Sequence, residues 1–78
     1  MDKKIEKHTY TILGYDKDHD NYDVIFDCDT CKEAMKVGSL LSFLASGDRL
    51  LSSFGEPYDW IEIEEYDEEN ENVDVIIV

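Results

Sequence analysis

Residues 21–33, Asn-Tyr-Asp-Val-Ile-Phe-Asp-Cys-Asp-Thr-Cys-Lys-Glu, contain the change of period that decides the fold. Tyr22, Val24, Phe26 and Cys28 alternate with Asp23, Ile25 and Asp27, and a period of two marks a strand with one buried face. Thr30-Cys31-Lys32-Glu33 then has the form of a capping box, in which a threonine hydroxyl and a glutamate carboxylate satisfy each other's orphan amides at a helix start. Downstream, Ala34, Val37, Leu41 and Leu44 recur at helical spacing, and Met35, Leu40 and Phe43 widen the stripe into a core-facing side. A strand therefore runs almost directly into a helix.

Working outward from this junction, residues 7–13 hold His8, Thr9, Tyr10, Thr11, Ile12 and Leu13, side chains that suit a pleated, half-buried surface. Gly14 and the polar residues 16–21 supply turn chemistry, so the first 28 residues read as a hairpin. On the other side, Gly47 predicts a helix stop, Asp48 a new N-cap, and Leu50, Leu51 and Phe54 a short second helix closed by Gly55. After Glu56-Pro57, residues 58–66 predict a third strand with Ile61 and Ile63 facing one way and Trp60, Glu62 and Glu64 the other. Residues 67–72 form a polar tip. Residues 73–78 form a last strand, apolar on both faces apart from Asp74, which predicts a central place in the sheet or a covering chain.

The expected fold is a single α+β domain over residues 1–78: a small antiparallel four-stranded sheet, β-β-α-β-β, with one long or two short helices packed on one face. Tyr22, Val24, Phe26, Ile61, Ile63, Val75 and Ile77 are expected beneath the helix. Asp23, Asp27, Trp60, Glu62, Glu64 and Asp74 are expected on the opposite face.

Charge bears on partners. The chain carries 20 acidic and 7 basic residues, a net −13, and the excess is segregated. Residues 15–29 hold six aspartates against Lys17, and residues 56–78 hold ten acids against no base. Such a field repels nucleic acid and anionic membrane and speeds encounter with basic protein surfaces. With 42% hydrophobic residues the chain is apolar enough to fold, and no run approaches a membrane span. The start lacks the apolar stretch of a secretory signal, and two cysteines are too few to staple a small secreted scaffold, so a cytoplasmic location is expected.

Local chemistry is sparse. Asp16, Asp18, Asp20 and Asp27 fall at positions 1, 3, 5 and 12 of a calcium loop, but Asn21 replaces the central glycine, Asp23 takes the usual apolar position, and Asp27 replaces the bidentate glutamate. Strands rather than helices flank that run, and aspartates are ordinary turn residues. Cys28-Asp29-Thr30-Cys31 is a lone CxxC without further metal ligands at a familiar spacing, and reads as a core filler and a first-turn residue. The five serines, Ser39, Ser42, Ser46, Ser52 and Ser53, have no nucleophile elbow or histidine partner. No enzyme activity, cofactor or metal is expected.

The functional expectation is a small acidic protein-binding inhibitor that acts on a basic surface of a nucleic-acid-processing enzyme, without itself binding nucleic acid or membrane. In size, acidity and surface pattern the chain resembles DNA-mimic inhibitors of the phage type, including anti-restriction and anti-CRISPR proteins. The residues assigned to partner binding are Asp23, Asp27, Trp60, Glu62, Glu64, Tyr66, Asp67, Glu68, Glu69 and Asp74. The alternatives are a homodimeric assembly module joined through its C-terminal strand, with acidity serving only solubility, and a calcium-binding module.

Overall fold

The structure, a computed structural model, describes residues 7–78 and contains four strands and one helix: β1 Thr9–Asp16, β2 Asn21–Cys28, α1 Cys31–Ser46, β3 Trp60–Tyr66 and β4 Asn72–Ile77. Residues 1–6, which bear on the expected lack of a secretory signal, lie outside the described residues. The strands form one antiparallel sheet in the order β2-β1-β3-β4, as the β-β-α-β-β reading requires.

α1 starts where the capping box places it: Thr30 is extended and its hydroxyl accepts from Glu33 N at 3.2 Å. Its exit differs from expectation. Asp48, with φ of 57°, takes the left-handed position that follows the helix, and Arg49 N donates to Leu44 O at 2.9 Å. With Asp48 N donating to Ala45 O at 3.1 Å, this bond caps the last carbonyls in the manner of a Schellman turn. Asp48 is thus spent ending α1 rather than starting a second helix. Residues 48–59 run as a loop, pinned by a bridge between Leu51 and Pro57.

One layer of core lies between α1 and the sheet. Ile12, Ile61 and Ile63 project from the two central strands against Ala34, Val37, Leu41 and Ala45 of the helix, with Cys28 closing one side. Fully burying each large aliphatic side chain contributes about 1.5–3 kcal/mol. Close approach is achieved with small residues. A Cβ on Gly14 would stand 2.5 Å from the Tyr58 ring, and one on Gly38 would stand 3.0 Å from Ile63.

Three placements overturn the alternation reading. In β2 the register slips between Ile12 and Leu13, so that Val24 faces Leu13, Phe26 faces Ile12, and Ile25 is the extra residue. A bulge of this kind shifts the side-chain phase along the strand. Cys28 is buried as expected, but Asp23 and Ile25 turn toward the core while Tyr22 and Val24 join the uncovered face. In β4, Ile76 and Val78 pack inward, whereas Val75 and Ile77 lie opposite Glu64 and Glu62 on the uncovered face, and Asp74 falls on the helix side opposite Glu65. Finally, β4 is an edge strand, not a central one. Its apolarity on both sides arises because the uncovered face is itself partly apolar.

The helix stripe is narrower than its pattern. Leu40 and Phe43 are 59% and 74% exposed on the outside of α1, and Met35 is also exposed. Among the described residues, no helix is long and apolar enough to cross a membrane.

Candidate functional site

Among the described residues, no element packs on the second face of the sheet: α1 contacts β1, β2 and β3 from the other side. That uncovered face is built by the alternate residues of four strands. At its centre Leu13 and Glu62 are nearly enclosed, with Glu62 only 6% exposed. Around them stand Tyr22, Trp60, Glu64, Val75 and Ile77, which line a shallow depression. Val75 and Ile77 are 46% and 63% exposed, unusual for aliphatic side chains grouped on one surface.

The carboxylates here are held by aromatic donors. Trp60 Nε1 donates to Glu62 Oε1 at 2.9 Å, and Tyr66 Oη donates to Glu64 Oε1 at 2.9 Å. Tyr15 stacks on Trp60 with ring centroids 4.4 Å apart and meets Tyr22 at 4.6 Å, fixing an aromatic row along one side of the depression. Burial, reinforced by the charges of Glu62, Asp20 and Glu64, pushes the Tyr22 phenol above its ordinary pKa. The hydrogen bond to Glu64, with burial and the same two glutamates, does the same for Tyr66. Both shifts report a negative potential across the face.

The remaining residues assigned from sequence divide. Asp27 lies at the margin of this face, accepting from Thr11 Oγ1 at 3.0 Å. Asp67 is used to build the tip, where its side chain accepts from Glu69 N and Glu71 N, while Glu68 and Glu69 remain exposed. Asp74 lies toward the helix side. Asp23 leaves the set altogether. Its carboxylate accepts from Tyr58 Oη at 2.9 Å, Ser53 N at 2.9 Å, Ser53 Oγ at 3.1 Å and Asn21 Nδ2 at 2.8 Å, tying the 48–59 loop to the hairpin.

A second polar cluster, at the β1–β2 turn, escaped the sequence reading. Asp16, 1% exposed, accepts from Ser52 Oγ at 3.0 Å and Asp18 N at 3.1 Å, and its Oδ2 lies 2.9 Å from His19 Nδ1. Burial pushes its carboxyl up, but the bonds from His19 and Ser52 outweigh that and hold it below the ordinary value. His19 stacks flat on Phe54 at 4.0 Å. Ligand atoms of Asp16, His19 and Glu56 lie within 4.8 Å of one another, a donor set of the type that holds divalent cations, although Asp16 already serves the loop. The calcium-loop positions are not gathered: Asp16 pairs with Asn21 beside the turn, whereas Asp27 pairs with Thr11, five residues back along β1. At about 3.3 Å per residue this is a separation of roughly 16 Å. Of the CxxC pair, Cys28 is buried and Cys31 exposed at the helix start, both as free thiols.

The uncovered face was only half visible in the sequence. Trp60, Glu62, Glu64 and Tyr66 follow from plain alternation in β3, while Tyr22, Val24, Val75 and Ile77 carried no local sign of their side. Comparison with protein-family models, curated proteins and solved structures returns no match for this chain.

Proposed function

We propose that this chain is a small, non-catalytic, acidic protein-binding inhibitor that lays its uncovered sheet face on a basic surface of a nucleic-acid-processing enzyme. The observation that carries this reading is the concentration of carboxylates, aromatic rings and exposed aliphatic groups on the sheet face that no described residue covers. Glu62 and Glu64 share that face at a same-side spacing of roughly 6.6 Å, comparable to the spacing of phosphates along a nucleic-acid strand. Trp60, Tyr66 and Tyr22 add aromatic anchors of the kind enriched at binding hot spots.

Long-range attraction comes from the whole net charge of −13, and short-range fit from this face. Its apolar content asks for a partner whose basic groups are separated by apolar ones, a closer specification than charge imitation alone. Action in the cytoplasm accords with the free thiols of Cys28 and Cys31. The DNA-mimic, anti-restriction and anti-CRISPR readings belong to this class, and the partner would be displaced from nucleic acid without the chain touching nucleic acid itself.

The test is capture of partners from a host lysate at low and high ionic strength, followed by competition with nucleic acid. Captured nucleic-acid-binding enzymes that release nucleic acid on binding, with association slowed by salt and by Glu62→Lys with Glu64→Lys, are expected. Association indifferent to salt and to both reversals would remove the proposal.

The edge position of β4 favours a second reading, homodimerisation through that strand. Its outer residues Val73, Val75 and Ile77 are exposed beside unpaired backbone groups, the usual setting for edge-to-edge pairing. Opposing it, two copies would each bring −13. Sedimentation at high concentration separates the readings, with a monomer expected for the inhibitor in isolation.

A further inference from the structure

We infer that the depression on the uncovered face is a receptor for an arginine side chain of the partner, an inference that rests on the proposed binding of a basic protein surface and specifies how that surface is read. Glu62 is the starting point. It is almost enclosed, and among the described residues its side chain accepts one hydrogen bond, from Trp60 Nε1 to Oε1. Among the described residues, neither Glu62 nor Glu64 forms an ion pair, whereas His8 pairs with Glu65 and His19 with Asp16. No buried side-chain oxygen lacks a partner among the described residues, so the second oxygen of Glu62 keeps access from the open side of the depression, where a cation that carries several N–H groups adds charge-assisted bonds to the neutral one.

The surroundings select the kind of cation. Trp60 is held by its stack on Tyr15 and by its bond to Glu62, and Tyr22 stands beside them, so the aromatic row is positioned before any partner arrives. A planar guanidinium stacks on such rings and is more weakly hydrated than an ammonium, which makes it the better group for a half-enclosed site. Its fork of five N–H donors reaches two separate carboxylates, as the side-by-side placement of Glu62 and Glu64 demands, whereas a lysine presents one compact charge. On the opposite wall Val75 and Ile77 offer aliphatic surface for the methylene stem. Three chemically different parts of arginine thus meet three matching parts of the depression. Nothing in this set of contacts suits a phosphate or a second acidic copy of the chain.

Trp60 is the only tryptophan, so its fluorescence and its indole N–H resonance report directly on the site. The full chain is titrated with a short glycine-serine peptide bearing three arginines and with the same peptide bearing three lysines, at equal net charge and low salt. The arginine peptide is expected to move the Trp60 indole resonance and to bind about three-fold to ten-fold more tightly than the lysine peptide. Glu62→Gln and, independently, Glu64→Gln are expected to erase most of that preference, while Asp29→Asn, at an exposed residue outside the depression, leaves it in place. Retention of the native amide spectrum in either glutamine variant keeps the comparison valid, and Glu64, being more exposed, provides it should Glu62→Gln disturb the fold. Equal binding of the two peptides, or binding that leaves the Trp60 resonance unmoved, overturns the arginine receptor. If equal binding is accompanied by salt-sensitive capture of a basic partner, the acidic-surface proposal survives alone; if neither peptide binds and no basic partner is captured, both fall.

Discussion

The two faces of one sheet treat carboxylates in opposite ways. On the helix side, Asp16 and Asp23 are consumed by the fold, accepting bonds from Ser52, Ser53, Tyr58 and Asn21 that fasten a long loop. On the uncovered side, Glu62 and Glu64 each accept one bond from an aromatic donor and stand among exposed apolar side chains. The apolar residues divide in the same way. Ile12, Ile61 and Ile63 are wholly enclosed, while Val24, Val75 and Ile77 are about half exposed or more. The contrast teaches that acidity alone does not set a surface apart in this chain; the proposed binding face differs in having carboxylates beside exposed apolar groups.

The contrast breaks most visibly in the core. Ile61→Ala removes a fully enclosed side chain from a single thin layer and is expected to lower unfolding free energy by about 2–5 kcal/mol, measured by urea denaturation. For a domain of 78 residues that is a large part of the total stability. Gly14→Ala should come next. The new methyl meets the Tyr58 ring at 2.5 Å, and Tyr58 is held by Asp23, so a loss of about 1–3 kcal/mol is expected.

Binding should respond in the reverse pattern. Glu64→Lys is expected to slow association with a basic partner about ten-fold at low salt, seen in stopped-flow or surface kinetics, with stability changed by less than about 1 kcal/mol. An equal loss of stability would show that this carboxylate, too, belongs to the fold.

pH sharpens the same comparison. Backbone and side-chain bonds from Ser53 and Tyr58 hold Asp23 below its ordinary value, and Asp16 is held low as well, so both contribute stability that is present above the unfolded carboxyl range and lost as pH falls through their folded values. Glu56 runs the other way. The neighbouring Asp18 side chain, with slight desolvation, raises the carboxyl of this exposed residue, so proton uptake modestly favours the folded state as pH drops from neutrality toward that raised value. The urea midpoint is therefore expected to rise modestly from pH 7 to about pH 5 and to fall below about pH 4. Glu56→Gln should flatten the rise and leave the acid loss intact.

The smallest expected effect is at the helix exit. Asp48→Gly relieves a left-handed residue and should add about 0.5–1 kcal/mol by the same denaturation measurement, since it strengthens the covering helix without touching the uncovered face.

How much was readable beforehand depended on how local the cause is. The N-cap at Thr30, the turn chemistry of residues 17–20, and the alternation of Ile61 and Ile63 against Trp60, Glu62 and Glu64 depend on neighbours within a few residues, and all three are found. The phase of β2 depends on a bulge opposite β1, which no spacing in β2 records. The rank of β4 depends on which strand lies next to it. Two-sided apolarity is produced equally by burial in the middle of a sheet and by an edge beside an apolar open face. Asp16 and Asp23 looked like surface charges because their donors, Ser52, Ser53 and Tyr58, stand about 30 residues or more away.

By itself the amino-acid order determined the strands, the helix start, the antiparallel α+β class and the sign of the electric field, because propensity, capping and summed charge are properties of the chain before it folds. Only the tertiary structure decided which acids are tied to the 48–59 loop, which gather beside Trp60, and that no described residue covers the second face of the sheet. Those outcomes follow from register and from the pairing of distant residues, where a slip of one position carries a side chain from one face to the other.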